Sequence, residues 1–136
     1  MIKILKQPTY VDLALLDEAI PFKVGIEEGV MVIRLLLHIQ FDNELLHRSP
    51  RLLARRLDVD LGWCSRVTNR MLREGLLEHE QSELEPIIGG QTENPKATGN
   101  QKNLILTLDG VGVLQELRDK HGVFWSDRFT KWTLAK

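Results

Sequence analysis

Apolar and polar positions alternate along the chain in a way that sorts it into helical and extended segments. Residues 1–6 are a short apolar and basic lead, compatible with a strand or an arm. Thr9 is placed to cap a helix over residues 10–20, with Asp12 early in it and Pro21 ending it. Residues 27–41 carry Glu27 and Glu28 in the first turn, where a helix dipole favours acids, and are then apolar on nearly all sides. That pattern predicts a helix buried in the middle of a domain or dimer. Arg34 and His38 share one face of it at i, i+4. They would suit a ligand or metal contact, but a polar seam inside the fold is the simpler expectation for one histidine without a partner at ligand spacing.

Boundary signals are densest in residues 49–75. Ser49 and Pro50 make a helix start, as N-cap and first helical residue. Leu53, Ala54 and Leu57 give an inner face, with Arg51, Arg55 and Arg56 pointing largely outward. Asp58-Val59-Asp60 forms a turn, Asp60 caps a second helix over residues 61–74, and Gly75 stops it. Within that helix Cys64, Val67, Thr68 and Met71 recur at i, i+3, i+4, i+7 and define a buried side. Gly62, Arg66, Asn69 and Arg73 fall opposite, flanked by Trp63, Ser65 and Arg70, with no acid between Leu61 and Arg73. Arg and Asn have the fork geometries that match guanine and adenine edges in the DNA major groove. An ordinary charged surface is the competing expectation. Cys64 lies on the inner side, which predicts a small buried residue rather than a nucleophile or redox sensor.

An extended segment starts at Leu76 and runs to Leu84. The turn-rich stretch that follows contains Gly89-Gly90, Asn94-Pro95 and Gly99-Asn100, and a second strand spans residues 103–108. Two strands around a long loop predict a β-hairpin. Thr107 can cap a helix over residues 109–121 that Gly122 stops. Ser126 can cap a last helix, with Trp125, Phe129 and Trp132 at i, i+4, i+7. This aromatic stripe either closes the domain or is covered by a second subunit, and the second is the favoured expectation.

Composition adds one decisive point. With 136 residues and 43% hydrophobic content, a single folded domain is expected, and the net charge of −1 gives no overall polyanion-binding signature. Yet residues 48–73 hold seven arginines against Asp58 and Asp60, a balance of +5, which leaves −6 for the remainder. Such segregation means more for binding than the total does. A single cysteine, no apolar signal-peptide core and no unbroken membrane-length stretch predict a soluble cytoplasmic protein with no membrane partner. There is no glycine-rich phosphate loop or paired metal-ligand motif, and the histidines at 38, 47, 79 and 121 are scattered, so no enzyme and no cofactor are expected.

The order of two helices, a helix-turn-helix, a hairpin and two further helices also carries specific wording. Leu57-Asp58-Val59-Asp60 through Arg70-Met71-Leu72-Arg73-Glu74-Gly75-Leu76-Leu77, and then Leu106-Thr107-Leu108-Asp109-Gly110, are the telling stretches. They resemble the L-G-V-S…T-R-x-x-x-x-L-x-x-x-G-L-V and L-T-x-x-G patterns of MarR-type winged-helix transcription regulators. The departures are Asp58 in place of glycine, Trp63 in the first turn of the second helix, a longer hairpin loop without a basic tip, and short terminal helices.

The resemblance implies a mainly α fold with a small β-hairpin wing (α+β), a winged helix-turn-helix with flanking dimerisation helices. A single domain over residues 1–136 would comprise N-terminal helices (9–41), helix-turn-helix (49–75), wing (76–108) and C-terminal helices (109–136). It would act as a homodimer and as a sequence-specific double-stranded DNA-binding regulator, by default a repressor. Arg66 and Asn69 would read bases, with Ser65 and Arg70 beside them. Arg48, Arg51, Arg55, Arg56 and Arg73 would hold phosphates, and Lys96 and Lys102 would add contacts from the wing. Trp125, Phe129 and Trp132 would lie at the dimer interface, and a small-molecule effector could bind near Arg34 and His38. The alternatives are a phage or plasmid replication or partition accessory on the same scaffold, and a protein-interaction winged helix that does not bind DNA.

Overall fold

The apolar run at the centre of the chain becomes the element on which the others rest. The computed structural model describes residues 13–80, 102–123 and 125. Its elements are α1 (Leu13–Ala19), α2 (Ile26–Phe41), α3 (Pro50–Leu57), α4 (Leu61–Arg73), β1 (Leu77–His79), β2 (Leu104–Leu106) and α5 (Leu108–His121). Among the described residues the fold is thus mainly helical, with one small sheet. In α2 all residues from Gly29 to Ile39 except Arg34 are buried, and α1, α3, α4, α5 and β2 all pack against it. A helix enclosed on every side has no need of a polar face, and this accounts for its sequence.

Local sequence signals set the joint between α3 and α4. Ser49 Oγ accepts from the Leu52 N–H (3.3 Å) with Pro50 at the first helical position, and Asp60 Oδ2 accepts from the Trp63 N–H (2.9 Å). Between the helices Asp58 is left-handed (φ +58°), and the Val59 N–H closes onto the Ala54 carbonyl (3.0 Å). Aspartate is one of the few non-glycine residues that visits this region. At the far end of α4, Gly75 is also left-handed (φ +85°), and the Leu76 N–H reaches the Met71 carbonyl (2.9 Å), a Schellman closure.

β1 and β2 pair antiparallel, Leu77 opposite Leu106 and His79 opposite Leu104. The Arg48 carbonyl accepts from the Leu104 N–H (3.1 Å), which ties the segment before α3 to the sheet. Thr107 then joins three elements. Its N–H donates to the Leu76 carbonyl (3.0 Å), and its hydroxyl donates to the Gly75 carbonyl (2.5 Å) while accepting from the Gly110 N–H (3.1 Å) at the start of α5. Gly110 sits so close to this junction that a Cβ would lie 2.3 Å from the Leu76 carbonyl oxygen. The Leu-Thr-x-x-Gly segment is therefore the clamp between the end of α4 and the start of α5.

Several expectations are revised in extent. Among the described residues the strands cover Leu77–His79 and Leu104–Leu106, against the expected 76–84 and 103–108, and residues 81–84 of the first lie outside the described residues. Helix α1 is described from Leu13, and the proposed cap Thr9 lies outside the described residues. So do the hairpin tip with Lys96 and the last helix with Phe129 and Trp132.

Two substitutions test this frame by chemical denaturation. Gly110→Ala should cost about 1–3 kcal/mol through overpacking against a fixed carbonyl, and an unchanged midpoint would contradict the clamp. Asp58→Gly should add about 0.5–1 kcal/mol by relieving the left-handed turn, and a loss of stability would contradict that reading.

Candidate nucleic-acid interface

The second helix of the pair has two chemically opposite faces. Cys64, Val67, Thr68 and Met71 are buried, as their spacing predicts. The Thr68 hydroxyl is satisfied by the Ser65 carbonyl (3.0 Å), and the Cys64 thiol reaches the Pro50 carbonyl (3.5 Å), which fastens α4 to α3. Burial pushes this thiol up to about 12, so it stays protonated and unreactive at neutral pH. On the outer face Gly62, Arg66, Asn69 and Arg73 are exposed, as are Arg51 and Arg55 on α3. Among the described residues none of these four arginines, nor Asn69, has a hydrogen-bond or ion-pair partner. Ser65 is half-buried on the flank of this row, and Lys102 is exposed just before β2.

The other three arginines are engaged inside the fold. Arg48 directs Nε at the Ile39 carbonyl (2.7 Å), Nη2 at the Asp42 carbonyl (2.9 Å) and Nη1 at the Leu45 carbonyl (3.3 Å). It thereby closes the C-terminal end of α2, where carbonyls lack helical partners. Arg56 grips Asp42 through Nε (2.8 Å) and Nη2 (3.2 Å), and Nη2 also meets Glu44 (2.8 Å). Arg70 donates to the Lys23 carbonyl (2.7 Å), lies 3.5 Å from Glu28 and 3.7 Å from Glu74, and stacks over Phe22 at 4.8 Å. These side chains brace the scaffold, and the row open to a partner narrows to Arg51, Arg55, Arg66, Asn69 and Arg73.

Asp42, which the sequence pattern did not mark, is the centre of a buried polar cluster. Its carboxylate, 1% exposed, meets His38 Nδ1 (2.9 Å), Arg56 and the Glu44 N–H (3.1 Å). Burial alone would raise its pKa, but the bonds from Arg56, His38 and the Glu44 N–H outweigh this and hold it below the ordinary 3.8. The His38 ring is fully enclosed and meets the Trp125 ring edge-on at 5.0 Å. Arg34 Nη2 donates to the Leu57 carbonyl (3.3 Å), and burial lowers its pKa to about 10. The pair Arg34 and His38 is thus a polar seam from α2 to α3 and to Trp125. The neighbouring hollow of about 520 Å³, lined by Leu37, Phe41, Leu114, Arg118 and Trp125, includes neither of them.

A second hollow, of about 610 Å³, opens on the outer side of α4 and is lined by Trp63, Arg66, Asn69, Arg70 and Arg73, with Glu28 at one side. Among the described residues there is no cluster of potential metal ligands and no helix long and apolar enough to cross a membrane.

The His38 site yields a pH prediction. Burial lowers its pKa below the ordinary 6.5 despite the opposing pull of Asp42. The unfolded chain therefore binds this proton more readily, and stability is full above pH 6.5 and falls as pH drops below it. The melting temperature should decline from about pH 7 to about pH 5, and His38→Gln should flatten that decline. An equal slope in the variant would refute the assignment.

Comparison of the chain with protein-family models, with curated proteins and with solved structures gave no match, so its functional reading rests on the geometry of these side chains.

Proposed function

We propose that the protein is a sequence-specific double-stranded DNA-binding transcription regulator of winged helix-turn-helix type. The observation that carries the reading is the outer face of α4. Three guanidinium or amide forks, Arg66, Asn69 and Arg73, are exposed and unpartnered among the described residues, with Arg51 and Arg55 exposed on the preceding helix. Cations in this state keep their donors for an incoming anion, and the forks of Arg and Asn match base edges in the major groove. In this reading α4 enters the groove, Arg66 and Asn69 read bases, and Arg51, Arg55 and Arg73 hold phosphates. The β1–β2 pair is the root of the wing, from which Lys102 faces solvent.

The working form is a homodimer that sets two copies of α4 about one helical turn, ~34 Å, apart on a two-fold site. Occupancy of such a site blocks polymerase, so repression is the default outcome. The hollow between α2 and α5 lies against the start of the C-terminal segment and is where a small-molecule effector would act on the dimer.

The test is a binding titration on a site selected from random duplex DNA. Arg66→Ala combined with Asn69→Ala should reduce discrimination between that site and random duplex by roughly tenfold or more, since each lost fork is worth about 1–3 kcal/mol. Arg55→Ala should weaken binding to all sequences and reduce the salt slope by about one. Unaltered discrimination in the first variant would remove α4 from the role of reader.

A further inference from the structure

The first turn of α4 contains a residue that neither core packing nor phosphate binding explains. Trp63 is half-buried. One side of it packs against the apolar core, and the rest lines the hollow that Arg66, Asn69 and Arg73 also line. Its indole N–H has no hydrogen-bond partner among the described residues and is not among the enclosed unsatisfied groups. A smaller aliphatic side chain would fill the core contact without leaving part of an indole in water. Indoles in that position bury their remaining apolar face when a partner arrives.

The surroundings define what that partner surface is. Gly62 adds no side chain to this turn, and the Arg66 guanidinium bends back over it, 3.6 Å from where a Gly62 Cβ would stand. The cation of Arg66 and the indole of Trp63 are thus neighbours at i, i+3 on the N-terminal end of α4. In a helix lying in the major groove, that end carries the residues that meet base edges. The local acids are engaged: Asp60 in capping the Trp63 N–H, and Glu28 near Arg70. Within the groove the only apolar mark on a base pair is the thymine C5 methyl, and the commonest partner of an arginine fork is guanine.

Resting on the DNA-binding reading above, we propose that Trp63 is a specificity-determining residue that packs on a thymine methyl, beside a guanine held by Arg66. The protein therefore prefers sites in which these two bases are adjacent.

Replacing each thymine of a selected site in turn by deoxyuridine removes only the methyl group. In wild-type protein one position per half-site should weaken binding by about three- to fivefold, the worth of one buried methyl. It should adjoin the guanine whose replacement by 7-deazaguanine ceases to matter in Arg66→Ala. In Trp63→Gln the ratio of affinities for the thymine and uracil duplexes should fall to about one. Because that ratio is taken within one variant, loss of folded protein cancels from it. If Trp63→Gln does not fold, the adjacency read in wild type and Arg66→Ala still decides. Absence of any uracil-sensitive thymine, an unchanged ratio in Trp63→Gln, or a sensitive thymine remote from the Arg66 guanine overturns the proposal. Wild-type protein that binds no duplex at all sinks the parent reading and this one together, an outcome distinct from binding without a uracil effect.

Discussion

A carboxylate enclosed beside the end of a buried helix cannot remain ionised without partners, and the partners of Asp42 hold α2 and α3 to one another. The charge is compensated by Arg56 from α3, and the His38 ring on α2 and the Glu44 N–H add hydrogen bonds to the carboxylate. Removing one member of such a cluster strands the others in a poor solvent for charge, so the arrangement is held as a unit. Arg48 adds a second lock by donating to the Ile39 and Asp42 carbonyls at the same helix end and to the Leu45 carbonyl in the loop beyond it, while its own carbonyl bonds to the sheet at Leu104. The pose of α3 relative to α2 follows from these contacts. The pose of α4 follows from α3 through the left-handed Asp58 turn and the Cys64–Pro50 contact.

This explains how a chain with a net charge of −1 presents a cationic face. The seven arginines of residues 48–73 divide by partner. Arg48, Arg56 and Arg70 face carbonyls, carboxylates or an aromatic ring and bind the helices to one another. Arg51, Arg55, Arg66 and Arg73 face outward with their donors unused among the described residues. The internal contacts make the platform rigid, and the outward donors lie on two helices whose relation that platform fixes. A site built on rigid helices loses less side-chain and backbone entropy on binding than one on loops.

Much of this was legible in the chain because it depends on local rules. Ser49, Asp60 and Thr107 cap the helices for which their positions mark them, Gly75 and Gly122 stop two of them, and the four inner residues of α4 are buried as their spacing requires. The Asp58 departure from glycine is also intelligible, since the aspartate adopts the left-handed conformation a glycine would supply. The division among the arginines was not legible. Spacing places a side chain on a helix face, but whether a carbonyl or carboxylate from a distant segment reaches it depends on tertiary packing. Arg70 meets Lys23 and Glu28 across more than forty residues of sequence. Asp42 was passed over for the same reason: an acid after a helix reads as solvated until the fold encloses it. Gly110 illustrates the converse, a residue visible as a motif whose cause, the Leu76 carbonyl, emerges only in three dimensions.

The central claim is that the outward row on α3 and α4 is the surface that meets DNA. Amide and arginine side-chain NMR resonances followed while random duplex is added at low salt test it most directly. Perturbations concentrated at Gly62, Arg66, Asn69, Arg73, Arg51 and Arg55, with the Asp42 cluster unmoved, are the expected result. An unperturbed row, or changes confined to the hollow between α2 and α5, would contradict the account.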